Sequence, residues 1–208
     1  MQYLLSALLG YCFGNINPAY IISKAKGFDI RDKGTGNAGA SNTVILVGKL
    51  AGFAVALTDI LKAACAWWLC RWLFPVLKIS GMLGGVAALL GHMFPVFLHF
   101  RGGRGLACLG GLALAYDWKV LLLMLGIALF IGLVTNYVCI ATVSMSVIFP
   151  LYVGLSSAFW LGAAILAIPA GPIFCKHLVN FRRIRTGEEL RLSFLWDREK
   201  ELRRIGRL

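Results

Sequence analysis

Charge is scarce in this chain. Asp, Glu, Lys and Arg make up 14% of the 208 residues, and acids are the scarcer sign, nine against 21 bases. In their place the chain is 59% hydrophobic with a mean hydropathy of +0.79, far more apolar than a soluble domain of this length requires. Several apolar stretches with few charges approach the ~20 residues needed to cross a bilayer. A net charge of +12 would suit nucleic acid, but the aromatic–basic interleaving of a nucleic-acid face is missing. The bases instead cluster in loops beside apolar stretches, where they set orientation and meet anionic headgroups. No Cys-x-x-Cys pair and no zinc-type Cys/His spacing occurs among Cys12, Cys65, Cys70, Cys108, Cys139 and Cys175. That argues for buried free thiols and against a disulfide framework, and nothing points to a required metal or cofactor. No cleavable signal peptide is expected, because positive charge follows the first apolar segment instead of preceding it.

The apolar runs give an all-α polytopic membrane protein. The first covers about Tyr3 to Ser23, with Lys24, Lys26, Arg31 and Lys33 close behind. By the positive-inside rule that loop is cytoplasmic and the N-terminus faces outward. The second, Thr43 to about Phe74, exceeds one straight span and is expected as a single tilted or protruding helix. Further runs cover Ile79 to Leu98, Val120 to Val134, Val138 to Gly154 and Phe159 to Phe174. Gly105 to Tyr116 is too short to cross the core alone. If it crosses, there are about seven spans with the C-terminus cytoplasmic; five, with re-entrant runs, is the alternative. The predicted organisation is a membrane domain over 1–175 and a basic tail over 176–208. Leu192, Leu195, Trp196, Leu202 and Ile205 fall at near-helical spacing, so the tail reads as an interfacial amphipathic helix or as a helix capping the bundle. Gly10 with Gly14, Gly81 with Gly85, and the pair Gly110-Gly111 read as helix-packing residues.

Polar residues with chemical potential gather at few places. Gly34-Thr35-Gly36-Asn37-Ala38-Gly39-Ala40-Ser41-Asn42 is a glycine-rich loop beside Arg31 and Lys33. Glycines let successive N–H groups converge into an anion-binding nest, and a helix expected after Asn42 adds the positive end of its dipole. Thr35, Gly36, Asn37, Gly39, Ser41 and Asn42 are the candidate phosphate-binding residues. The loop also satisfies GxGxxG, but a dinucleotide fingerprint needs a preceding strand and a βαβ unit. A second tight loop, Gly91-His92-Met93-Phe94-Pro95 through Arg101-Gly102-Gly103-Arg104-Gly105, offers His92 and a guanidinium suited to phosphate at Arg104. Asp59 and Lys62 share a helical face within a span and can pair; Lys62 is a further candidate for phosphate. Thr142 on a later span, and His177, Asn180 and Glu188 near the tail, complete the polar set.

With these residues in place, the chain resembles the bacterial acyl-phosphate:glycerol-3-phosphate acyltransferase family. The resemblance rests on GTGNAGASN, GHMFPVFLHFRGGRG, the TNYVCIATVS region, and His177-Leu178-Val179-Asn180 through Gly187-Glu188. It implies a seven-helix fold in the bacterial inner membrane with catalysis on the cytoplasmic side. It also implies acyl transfer from acyl-phosphate to the 1-position of glycerol 3-phosphate, giving lysophosphatidic acid and phosphate. Thr35, Gly36, Asn37 and Asn42 would line the phosphate loop, Arg104 would hold phosphate charge, and His92, Thr142, His177 and Asn180 would be catalytic. Because acyl phosphate is an activated anhydride, positioning and charge stabilisation would supply most of the catalysis. The chain departs from the family pattern at Thr35 and Cys139 (usually serine), Arg104 (usually lysine), Leu178 (usually basic) and Ile45 (usually arginine). Ile45 and Cys139 favour the alternative of an altered-acceptor or non-catalytic homologue that binds or carries a phosphorylated lipid or anion.

Overall fold

Proline, glycine and polar caps divide the apolar runs into more helices than hydropathy alone suggests. The structure, a computed structural model, describes residues 1–205; the last three residues of the expected tail helix lie outside them. The helices are α1 (Gln2–Asn15), α2 (Pro18–Ala25), α3 (Ala40–Leu46), α4 (Lys49–Leu73), α5 (Ser80–Met93), α6 (Leu106–Tyr116), α7 (Trp118–Thr135), α8 (Val138–Ser157), α9 (Trp160–Ala167), α10 (Ala170–Arg185) and α11 (Arg198–Arg204). No strand occurs among the described residues.

Two of the breaks differ from the predicted runs. The first run stops at Ile16, where Asn17 caps α2 by accepting Tyr20 N–H at 2.9 Å and Pro18 opens the new helix. The expected single helix from Thr43 to Phe74 is two helices. Gly48 sits at φ +123, outside helical space, so α3 ends after seven residues and α4 restarts in a new direction. The polar loop 34–42 is thus followed by a short helix beginning at Ala40, not by a long one beginning after Asn42.

Among the described residues five segments are long and apolar enough to cross a membrane: Lys49–Leu73, Ser80–Leu98, Trp118–Thr135, Val138–Ser157 and Trp160–Arg185. Exposed leucines and aromatics such as Leu122, Leu129 and Phe130 line the outer face of α7, as expected of a lipid-facing helix. Between helices in lipid, close van der Waals contact replaces the hydrophobic effect as the source of association. Gly10 and Gly14 supply it on α1: a Cβ there would lie 2.0 Å from Gly84 O and 2.1 Å from Ala88 O on α5. Gly81 and Gly85 make room for Trp67 of α4, and Gly111 lets α6 meet the backbone of α4 at Ile60. Gly110 is the exception, since a Cβ there meets only ordinary contacts.

The six cysteines are all free; Cys70, Cys108 and Cys139 are buried as expected, while Cys12, Cys65 and Cys175 are exposed. The tail departs further. α10 runs unbroken through Lys176, where the tail was predicted to begin. Beyond it, Leu192–Leu195 is a 3₁₀ turn and only Arg198–Arg204 is α-helical. The segment folds back onto the protein: Leu192 N–H donates to Asn136 O at 2.8 Å, and Leu190, Phe194 and Leu202 bury Ile45. Glu201 fixes the fold-back by accepting Arg191 N–H at 2.7 Å and pairing with Arg204.

The glycine contacts make a direct prediction. Gly14→Ala forces α1 and α5 apart and should destabilise the protein by ~1–3 kcal/mol, the usual cost of overpacking. Gly126→Ala, whose Cβ meets nothing within 4 Å, should be neutral or stabilise by up to ~1 kcal/mol. Thermal unfolding in detergent micelles reads both; equal melting temperatures would contradict the packing account.

Candidate active site

The glycine-rich loop is shaped by its own side chains. Gly34 and Gly36 take left-handed conformations at φ +61 and +74, which reverse the chain twice within three residues. Asn42, buried in the first turns of α3, donates to Ile30 O at 2.9 Å and Lys33 O at 3.1 Å and accepts Thr35 N–H at 2.9 Å. Its amide is therefore spent on holding the loop, and its role is architectural, unlike the ligand role expected. Asn17 donates to Ala38 O at 3.3 Å and ties the loop to the α1–α2 break. Arg31 pairs with Asp29 at 2.7 Å and donates to Leu98 O at 2.8 Å, joining the first loop to the second. The Arg31 hydrogen bonds hold the Asp29 carboxyl well below the ordinary carboxylate range. Thr35, Asn37, Gly39 and Ser41 remain on the wall of a cavity.

The second loop owes its two central glycines to close approach. A Cβ on Gly102 would lie 2.0 Å from His92 O, and one on Gly103 would lie 2.1 Å from His92 Nε2. His99 and Phe100 both hold positive φ, an unfavourable state for side-chain-bearing residues. Lys176 of α10 secures the turn from across the bundle, donating to Met93 O at 2.5 Å and reaching Gly102 O and Gly103 O at 3.4 and 3.3 Å.

Beneath both loops lies a buried ionic cluster. Lys62 Nζ stands 2.7 Å from Asp59 Oδ1, 2.9 Å from His92 Nδ1 and 2.6 Å from Ile16 O, the carbonyl freed where α1 ends. An ammonium only donates, so His92 Nδ1 accepts and its proton resides on Nε2, facing Gly103. Lys62 is not on the cavity wall, whereas Asp59 and His92 are; the phosphate-binding role predicted for Lys62 gives way to a structural one. Asp59, His92 and Cys108 also place three potential metal ligands within 4.8 Å of one another. Two of those ligands already face the ammonium, so the negative charge of Asp59 is balanced without an ion.

The remaining polar residues come from α6, α8, α10 and the tail. His177 is buried, and its Nδ1 lies 2.7 Å from Ile173 O. A carbonyl only accepts, so Nδ1 carries the proton and Nε2 offers a lone pair. Thr142 donates to Val138 O at 3.0 Å, keeping only its acceptor lone pairs available. Asn180 is fully buried and donates to Glu189 at 2.6 Å, while its own Oδ1 has no hydrogen-bond partner among the described residues. Glu189, not the exposed Glu188 of the sequence reading, is the tail carboxylate at the site. Arg104 enters from the start of α6; burial lowers its pKa and Glu189 opposes the shift, and a guanidinium stays charged in either case. Arg183, which sequence reasoning passed over among the tail bases, reaches Thr35 O at 3.5 Å. Its position depends on how α10 packs beside the first loop, a contact between residues far apart in sequence.

Arg104, Thr142, His177 and Glu189, with Thr35, Asn37, Gly39 and Ser41 of the first loop, line one end of a cavity of about 300 Å³; Asn180 and Arg183 are not on its wall. The cavity continues between α4, α6, α7 and α8, where Ile60, Leu109, Leu121, Met124, Met145 and Phe149 replace the polar lining. The cavity thus has a polar end carrying Arg104 and His177 and an apolar slot inside a helical bundle.

Comparison with known proteins gives this bundle a family. A family model described as glycerol-3-phosphate acyltransferase matches residues 4–187. Glycerol-3-phosphate acyltransferase 1 of Oceanobacillus iheyensis is 36% identical over 211 residues, covering 96% of this chain and 99% of that protein. The glycerol-3-phosphate acyltransferase of Thermosipho melanesiensis is 36% identical over 192 residues, covering 91% and 92%. The crystal structure of PlsY (YgiH), an integral membrane glycerol 3-phosphate acyltransferase, in its glycerol 3-phosphate form superposes with a TM-score of 0.82 at 30% identity, over 94% of this chain and 98% of that one. Its lysophosphatidic acid form gives 0.78 at 29%, over 92% and 95%. The chain belongs to the glycerol-3-phosphate acyltransferase family, integral membrane transferases of phospholipid biosynthesis.

Lys62→Met should strand Asp59 as a buried unpaired charge and cost about 3–5 kcal/mol of stability. Pairing it with Asp59→Asn should recover part of that loss. Chemical or thermal unfolding of the two single variants and the double variant measures the coupling; strictly additive losses would refute the ion-pair account.

Proposed function

We propose that this chain moves a fatty acyl group from an acyl-phosphate to the 1-hydroxyl of glycerol 3-phosphate, releasing lysophosphatidic acid and inorganic phosphate. The observation that carries the reading is the continuity of one cavity from the Thr35–Ser41 cradle and Arg104 to the apolar slot above Phe149. A donor with a charged phosphate and a long acyl chain needs both halves in one line. The PlsY structures in glycerol 3-phosphate and lysophosphatidic acid forms support that acceptor and that product.

The chemistry follows from the site. The acceptor hydroxyl oxygen attacks the acyl carbonyl carbon, and the carbon–oxygen bond to phosphate breaks. The departing phosphate takes the hydroxyl proton, so no protein nucleophile is required. His177 Nε2, free to accept, orients that hydroxyl, and Asn180 supports the site from outside the cavity wall by holding Glu189. Asn37, Arg104 and Arg183 stabilise charge on the phosphates. His92 presents Nε2–H toward the Gly102-Gly103 turn, from which Arg104 projects. Ile45 stands buried in an apolar cluster, so the acceptor's charge falls to Arg104 and Arg183. With a second guanidinium at Thr35, an altered acceptor or a non-catalytic role is not favoured.

The same reading places the protein in the bacterial inner membrane with about seven crossings, an outer N-terminus, and the site and tail on the cytoplasmic side. Its support is the gathering of Lys24, Lys26, Arg31, Arg104 and Arg183 around the two loops at one end of the bundle.

Arg104→Ala and Asn37→Ala should each lower kcat/KM by about 10²–10³-fold, the usual loss on removing a charge-stabilising group, with unfolding temperature unchanged. Phosphate release and lipid product from acyl-phosphate with glycerol 3-phosphate measure it. Product from other alcohols but none from glycerol 3-phosphate would overturn the acceptor; unchanged turnover in both variants would overturn the phosphate site.

A further inference from the structure

Gly110 is a glycine that packing does not require. It lies inside α6, where glycine disfavours the helix relative to alanine, and its φ is not in the left-handed region. A Cβ there would rest 3.6 Å from Leu121 Cδ1 and 3.7 Å from Ile60 Cγ1, ordinary contact distances. Its neighbour Gly111 shows the contrast, since a Cβ there would strike Ile60 O at 2.2 Å. Gly110, Leu121 and Ile60 all line the apolar half of the cavity. What the missing methyl provides is space along that slot.

Phe149 marks the far end. On α8 the lining residues Val138, Cys139, Thr142, Met145 and Phe149 run away from the polar end, and no α8 residue beyond Phe149 lines the cavity. From Thr142 to Phe149 the helix advances about 10 Å. Phe149 is 1% exposed and its ring is held edge-on by Tyr116, centroids 6.2 Å apart at 80°. An end wall fixed in this way does not yield easily to a longer chain.

We infer that Gly110 and Phe149 together set the acyl-chain length this protein accepts, Gly110 by leaving the slot open and Phe149 by closing it. The inference rests on the acyl-phosphate reading and adds which residues measure the donor. A difference of a methylene or two in an apolar pocket discriminates by about 10-fold or more, so single side-chain changes suffice to move the preference.

The test compares dodecanoyl- and hexadecanoyl-phosphate as donors with the full chain in detergent. Gly110→Ala should shift the kcat/KM ratio toward the shorter donor by about 10-fold, with unfolding temperature unchanged or raised. Phe149→Leu should shift it about 10-fold toward the longer donor. Equal ratios in all three proteins would overturn the inference, as would a loss of stability in Gly110→Ala, which would make that glycine a packing residue. If the unaltered chain turns over neither donor, the acyl-phosphate reading fails on its own. Chain length is then read from thermal stabilisation by dodecyl and hexadecyl phosphate, where the two variants should show the same opposite shifts and unchanged preference would refute the ruler.

Discussion

One buried ammonium ties together the parts of this protein that matter most. Lys62 donates to Ile16 O, forms an ion pair with Asp59 and shares a hydrogen bond with His92. Each acceptor belongs to a different element: the broken end of α1, the body of α4 and the end of α5. The break at Ile16 places Asn17 where it can hold Ala38, and so positions the first loop. The ring of His92 lies where only glycine fits at 103, and so shapes the second. Two loops that share no sequence neighbourhood are thereby set against a common charge centre. In a low-dielectric interior such a pair is costly to desolvate but far costlier to split, which makes the arrangement close to all-or-none.

Above that centre the site is built mostly from backbone and second partners, not from a row of free side chains. Asn42, Arg31 and Lys176 each use their polar groups to hold loop carbonyls or amides. What they leave exposed to the cavity is a set of oriented donors with two guanidiniums nearby. That composition suits a reaction whose reactants already carry a good leaving group. Charge must be matched and the hydroxyl aimed; no bond to the protein needs to form.

Much of the site was legible because its residues are improbable where they stand. Nine mostly polar and glycine residues in a row, Gly34 to Asn42, are out of place in lipid, so their place at a membrane surface follows from composition. The Asp59–Lys62 spacing likewise dictated an ion pair. Less was visible where one residue type serves two purposes. Asn42 and Lys62 looked like ligands, yet both are fasteners, because a donor's partner is decided by what packs beside it. Glu188 and Glu189 are indistinguishable in sequence; a single step around the chain end exposes one and buries the other against Asn180. Arg183 was one base among many until α10 brought it to Thr35.

The sequence by itself determined the class of fold and the location of its chemistry. Apolar length forces helices in a membrane, and the few polar residues must collect where those helices end. It also carried the helix breaks in plain form, at Asn17-Pro18 and at Gly48, though hydropathy smoothed them over. Only the tertiary structure decided which of those polar residues face the substrate and which hold the frame. It also decided which glycines serve packing and which, like Gly110, leave space. Those outcomes depend on distances between elements far apart in the chain, and close packing fixes such distances only once the whole bundle is assembled.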